Sequence, residues 1–78
     1  MPRVFRHGPY RFFFYAGDWA EPPHVHVERD QATAKFWLLP IRLANSREFS
    51  RIALREIESI LQDNQQMLLG AWNDYFGQ

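Results

Sequence analysis

The sequence predicts an α+β domain, with an N-terminal antiparallel β-sheet of about four strands packed against two C-terminal amphipathic helices. Three observations carry this. Residues before Pro40 are dense in aromatic and β-branched side chains, with one stretch of clean two-residue alternation. Turn formers interrupt them at Gly8-Pro9, Pro22-Pro23 and Asp30-Gln31. Beyond Ser50 the apolar spacing changes to that of a helix, and strands followed by helices are the α+β pattern.

The elements follow in order. Arg3 to Arg6 reads as a short first strand and Tyr10 to Ala16, aromatic almost throughout, as a central one. Gly17 to Pro23 reads as a loop stiffened by Pro22-Pro23. His24 to Arg29 is a strand with Val25 and Val27 toward the core and His24, His26 and Glu28 on the other side. Ala32 to Leu39 follows as a strand closed by Pro40, with Ile41 to Leu43 a short extended piece before a loop at Asn45-Ser46. Ala53, Ile57, Ile60 and Leu61 share a helical face behind a Ser50 N-cap. Asp63-Asn64 marks a break, and Leu68, Ala71, Trp72, Tyr75 and Phe76 form a second helix ended by Gly77. Gly70 inside it costs about 1 kcal/mol against Ala, an expense that close packing on the sheet would explain.

Seventy-eight residues suit one domain. Seven Phe, three Trp and three Tyr supply much of the core. Without cysteine, neither a disulfide nor a thiolate metal site is available. No apolar run is long enough for a membrane span and the N-terminus lacks the apolar core of a signal peptide, so a cytoplasmic protein is expected. The formal charge is zero, but the sheet half carries the cations in excess and the helical half the acids. That balance is too weak for nucleic-acid binding by charge alone, yet it leaves one mildly basic face.

The segment Pro23-His24-Val25-His26-Val27-Glu28 is the part of the chain best equipped for chemistry. If Asp30-Gln31 is a two-residue hairpin loop, Arg29 pairs with Ala32, and counting back places His26 opposite Lys35 and His24 opposite Trp37. A patch of His24, His26, Glu28, Lys35 and Trp37 results, away from the valines. Three readings fit it. As an acid/base site, one imidazole accepts a proton while the other, or Lys35, meets developing charge, which suffices for RNA cleavage by its own 2′-hydroxyl with no cofactor. Trp37, or Trp19 in the preceding loop, can then stack on a base, and Arg11 can contact phosphate. As a metal site, His24-x-His26-x-Glu28 offers two imidazoles and a carboxylate with an open position. As plain surface, the three are solvated polar residues on an outward face. The run Tyr10 to Tyr15 can likewise be a stacking platform or core, and so many aromatics in a small sheet favour a covering partner.

Val4-Phe5-Arg6, Tyr10 to Tyr15, Glu21-Pro22-Pro23-His24-Val25-His26-Val27-Glu28, Ala34-Lys35-Phe36-Trp37-Leu38, Leu54-Arg55-Glu56-Ile57 and Ala71 to Phe76 together resemble the small bacterial proteins of domain of unknown function family 4160. The resemblance implies one half of a two-protein toxin–antitoxin module, with this chain as the toxin and a small antitoxin-like protein as partner. The residue roles come from the patch itself and not from the resemblance: His24 and His26 are the expected acid/base pair, Glu28 orients an imidazole, and Lys35 stabilises phosphate charge on RNA or the ribosome. The alternative is a non-catalytic domain that pairs through its aromatic sheet face or its helices, and a homodimer stays open.

Overall fold

The structure, a computed structural model, describes residues 3–77. Five strands form one antiparallel sheet in chain order: β1 (Arg3–His7), β2 (Tyr10–Phe13), β3 (His24–Arg29), β4 (Ala32–Leu38) and β5 (Ile41–Arg47). Helices α1 (Arg51–Asp63) and α2 (Gln65–Phe76) follow and cover one face. This is the predicted α+β architecture, with one strand more than the sequence suggested.

The β3–β4 hairpin has the expected register. Arg29 pairs with Ala32 across Asp30-Gln31, so His26 faces Lys35 and His24 faces Trp37. Asp30 takes a φ of 54°, in the left-handed region that two-residue hairpin loops need and that Asp tolerates. The alternation then sorts the side chains. Tyr10, Phe12, Val25, Val27, Ala34, Phe36 and Leu38 are buried against Ala53, Ile57, Leu61, Leu68 and Trp72 of the helices. Full burial of one such side chain is worth about 1.5–3 kcal/mol.

Four expectations are corrected. β5 continues through Asn45 and Ser46, which pair with Lys35 and Ala34. Their low strand propensity read as a loop, but ladder hydrogen bonds to β4 outweigh it. β2 ends at Phe13 instead of Ala16, because Phe14 leaves the ladder to pack on Trp72, Tyr75 and Phe76. Ala16–Ala20, read as the strand's last residue and the start of a loop, form a 3₁₀ turn. The stacking platform is also absent as an open surface. Tyr10, Phe12, Phe13 and Phe14 are all buried, the first two beneath the helices, and Tyr15 alone of that run is exposed.

The edge strands each carry an extra residue, Val4 in β1 and Ala44 in β5, where the pairing register shifts. Ser50 and Gly77 close helix ends as the sequence suggests, whereas the Asn64 side chain turns back to α1 and gives α2 no cap. Ser50 Oγ accepts the Ala53 N–H at 3.0 Å. Asn64 Nδ2 donates to the Ile60 carbonyl at 2.7 Å, and Gly77 takes a left-handed φ of 74°. Gln65 Nε2 ties the start of α2 to the Leu38 carbonyl at 2.7 Å. Tyr10 links sheet to helix by donating to Glu56 Oε1 at 2.6 Å; burial chiefly, then this bond to a carboxylate, raises its phenol pKa. No helix among the described residues is long and apolar enough to cross a membrane.

Gly70 does not make the close approach that its cost suggested. It is exposed, and a Cβ built there meets nothing within 4 Å. Gly70→Ala should therefore raise unfolding stability by about 0.5–1 kcal/mol in urea denaturation. A loss of stability would mean that the glycine has a packing role these contacts do not contain.

Candidate functional site

The outward face of β3 is covered by the turn that precedes it. Asp18 anchors that turn: its Oδ2 accepts the Tyr15 N–H at 2.8 Å, and its own N–H donates to the Tyr15 carbonyl at 3.0 Å. Pro22 and Pro23 then bring the chain back into β3, with the Pro23 carbonyl accepting the Leu38 N–H at 3.0 Å. The result is a carboxylate held above two strand histidines. Asp18 Oδ1 lies 3.1 Å from His24 Nε2, and Asp18 Oδ2 lies 3.1 Å from His26 Nε2.

The two imidazoles have different surroundings. His24 is only 1% exposed, with the rings of His26, Trp37 and Trp72 all within 5.6 Å. Its Nδ1 is 2.9 Å from the Pro22 carbonyl, which can only accept, so Nδ1 carries the hydrogen. Its Nε2 is buried and makes no hydrogen bond, despite the nearby Asp18 oxygen. His26 is less enclosed, with 17% of its side chain exposed, and Phe13 and Tyr15 pack on its ring. Burial holds its pKa below the usual imidazole range, with the Asp18 charge pulling the other way.

A cavity of about 240 Å³ opens beside His26, its wall including Phe13, Tyr15, Glu28, Lys35 and Asn45. Lys35 Nζ donates to Glu21 Oε1 at 2.6 Å and sits 4.7 Å above the Trp37 ring. The bond from Lys35 is the main reason the Glu21 carboxyl has a lowered pKa.

The predicted patch is therefore only partly one site. His24, His26 and Lys35 come together as the hairpin requires. Glu28 does not orient an imidazole, because it lies past His26 and pairs with Arg11; Asp18 takes that position. Arg11 is correspondingly engaged with a carboxylate where a phosphate contact was expected. Trp37 lines a second cavity of about 240 Å³ with Pro22, Pro23, Leu39, Pro40 and Arg42, and Trp19 is 71% exposed beside Asp18 while lining neither cavity. His24 cannot exchange protons with a bound substrate from its enclosed position, so an acid/base pair made of both histidines does not fit. The reading of His24 as a solvated surface residue fails for the same reason. Asp18 is the residue that sequence reasoning missed. Its one signal was an acid in a short, proline-stiffened loop just before the histidines.

The family model for a domain of unknown function, DUF4160, matches residues 10–73. The chain belongs to this family. The match runs from β2 into α2, so it takes in Asp18, both strand histidines and Lys35. No curated protein and no solved structure is similar enough to the chain to match it.

The His24 arrangement has a direct spectroscopic consequence. In the neutral ring the hydrogen sits on Nδ1 and the lone pair on Nε2, so ¹⁵N spectra of the imidazoles should show His24 as the Nδ1–H tautomer. The opposite tautomer would place the Pro22 contact in error.

Proposed function

We propose that this DUF4160 protein is the toxin-like half of a bacterial two-protein module and that its outer sheet face binds and cleaves RNA. The observation that carries this reading is the position of His26. Its ring is fixed by Asp18, lines a cavity, and lies one strand across from the ammonium of Lys35. A phosphodiester needs both kinds of group: a cation to meet its charge, and a fixed polar centre to activate the attacking oxygen. Lys35 supplies the first. Its bond to Glu21 lies at the exposed edge of the site, so a phosphate can compete for it. His26, held by Asp18, supplies the second, acting on the ribose 2′-hydroxyl or on water. Tyr15, half exposed beside His26, offers an aromatic ring to a base. The family resemblance supports the two-protein setting, with a small antitoxin-like protein as the partner.

A non-catalytic pairing domain is the second reading, favoured by Ile52, Met67 and Tyr75, which are large apolar side chains exposed on the helices. Trp72 does not serve as its probe, because it is buried against Phe14 and His24 and its loss would cost about 3–5 kcal/mol of stability. Tyr75→Ala is the suitable change.

Induced expression in a bacterial host separates the two. Wild type should arrest growth and degrade RNA. His26→Gln, at the same folded level, should lower cleavage by about 10²-fold or more, and Lys35→Ala should weaken it by about tenfold. Glu21→Gln, which frees Lys35, should increase it. A harmless wild type, or a His26→Gln protein as toxic as wild type, removes the RNA reading. A Tyr75→Ala protein that loses only its partner favours pairing.

A further inference from the structure

We propose that Asp18, His24 and His26 bind a divalent transition-metal ion, zinc in the first instance, through the carboxylate and the two Nε2 atoms. The inference deepens the RNA reading where the metal's use is concerned, whereas metal binding itself stands on the geometry of these three residues.

The decisive group is His24 Nε2. With Nδ1–H donated to the Pro22 carbonyl, the neutral ring presents a bare lone pair at Nε2. That lone pair is buried, has no hydrogen-bond partner, and lies 3.1 Å from a carboxylate oxygen, which is itself only an acceptor. Two acceptors this close repel unless a positive centre stands between them. A shared proton requires nitrogen and oxygen to be in line, and the Asp18 oxygen is out of line with the ring nitrogen, since no hydrogen bond forms. A metal ion makes the other demand. Nitrogen and oxygen must be close to one another while both point at a third place.

The distances agree. Tetrahedral zinc with bonds of about 2.0–2.1 Å puts its ligand atoms about 3.3 Å apart. Asp18 Oδ1 lies 3.1 Å from His24 Nε2 and Asp18 Oδ2 3.1 Å from His26 Nε2, and one ligand atom from each of the three residues falls within 4.8 Å of the others, a set that a bound ion would draw slightly together. The surroundings agree as well. Imidazole ligands generally donate their other N–H to a carbonyl or carboxylate, and His24 does so to Pro22. Asp18 is steadied by the Tyr15 N–H. His26 now donates from Nε2 to Asp18; as a ligand it would carry that hydrogen on Nδ1, a change of tautomer with no net proton gained or lost.

The carboxylate of the set is Asp18, not the Glu28 of the sequence motif His24-x-His26-x-Glu28, because Glu28 is bound to Arg11. Three protein ligands leave a position for water or substrate, and His26 brings the set to the cavity wall. The ion also changes the charge of the site. Asp18 and Glu21 now offset Lys35, and a divalent cation makes the same place attractive to a phosphate.

The test is zinc binding to the full chain after chelator treatment, followed by calorimetry, by the visible spectrum with cobalt as substitute, and by the melting temperature. Wild type should take up one equivalent and melt higher with zinc. His24→Ala empties a buried position, so Asp18→Asn and His26→Gln are the variants to use, each checked by circular dichroism for an unchanged fold. Asp18→Asn keeps an oxygen for the Tyr15 N–H. Each should lose at least about a hundredfold in zinc affinity, more than the loss of an imidazole's outer partner costs. No uptake by wild type, or unchanged affinity in Asp18→Asn and His26→Gln, overturns the site. A protein that binds zinc through these residues but spares RNA keeps the metal site and loses the RNA reading. A protein that cleaves RNA undiminished in chelator, with no zinc bound, does the reverse.

Discussion

The Asp30-Gln31 loop sets the pairing of β3 with β4, and the sidedness of the sheet depends on that pairing. With two residues in the loop, Val25, Val27, Ala34 and Phe36 all fall on the helix side. His24, His26, Lys35 and Trp37 fall on the other. One residue more or fewer would reverse one strand against its partner, burying Lys35 in the core or expelling Phe36 from it. The core therefore enforces the register that the outer face uses. The left-handed backbone at Asp30 is a small local cost set against a whole layer of buried aromatic and aliphatic side chains.

The same face is finished by two elements from outside the sheet. The 3₁₀ turn lowers Asp18 onto the histidines, and Trp72 of α2 closes the end of the sheet beside His24. Phe14 connects the two. By leaving β2 to pack on Trp72 it directs the following chain into the turn. A helix whose main work is to cover the core thus also sets the enclosure of one imidazole. That enclosure distinguishes His24 from His26, two residues that alternation alone makes equivalent.

Much of this was legible in local sequence. The hairpin loop, the Ser50 cap, the break at Asn64 and the Gly77 stop are short-range features, and short-range stereochemistry decides them. The opposition of His26 and Lys35 followed from the loop length. What was not legible depended on tertiary contacts. Asn45 and Ser46 are strand residues because β4 lies beside them. Asp18 sits in a segment without periodicity, so nothing in its spacing reveals that it folds back over β3. Glu28 shares the period of the histidines, yet its place opposite Arg11 in the β2–β3 ladder claims it for another partner. Periodicity identifies a face; it does not say what covers that face.

An open antiparallel sheet leaves two borders where the backbone of another molecule can add itself. Here both borders are irregular, with Val4 and Ala44 each interrupting an otherwise even row of amides and carbonyls. On β5, Arg42 and Arg47 stand exposed on either side of the irregularity. An incoming strand would find its ladder out of step midway and would have to bring cations close to its own. Neither border of this aromatic-rich sheet is therefore an even template for strand-to-strand growth.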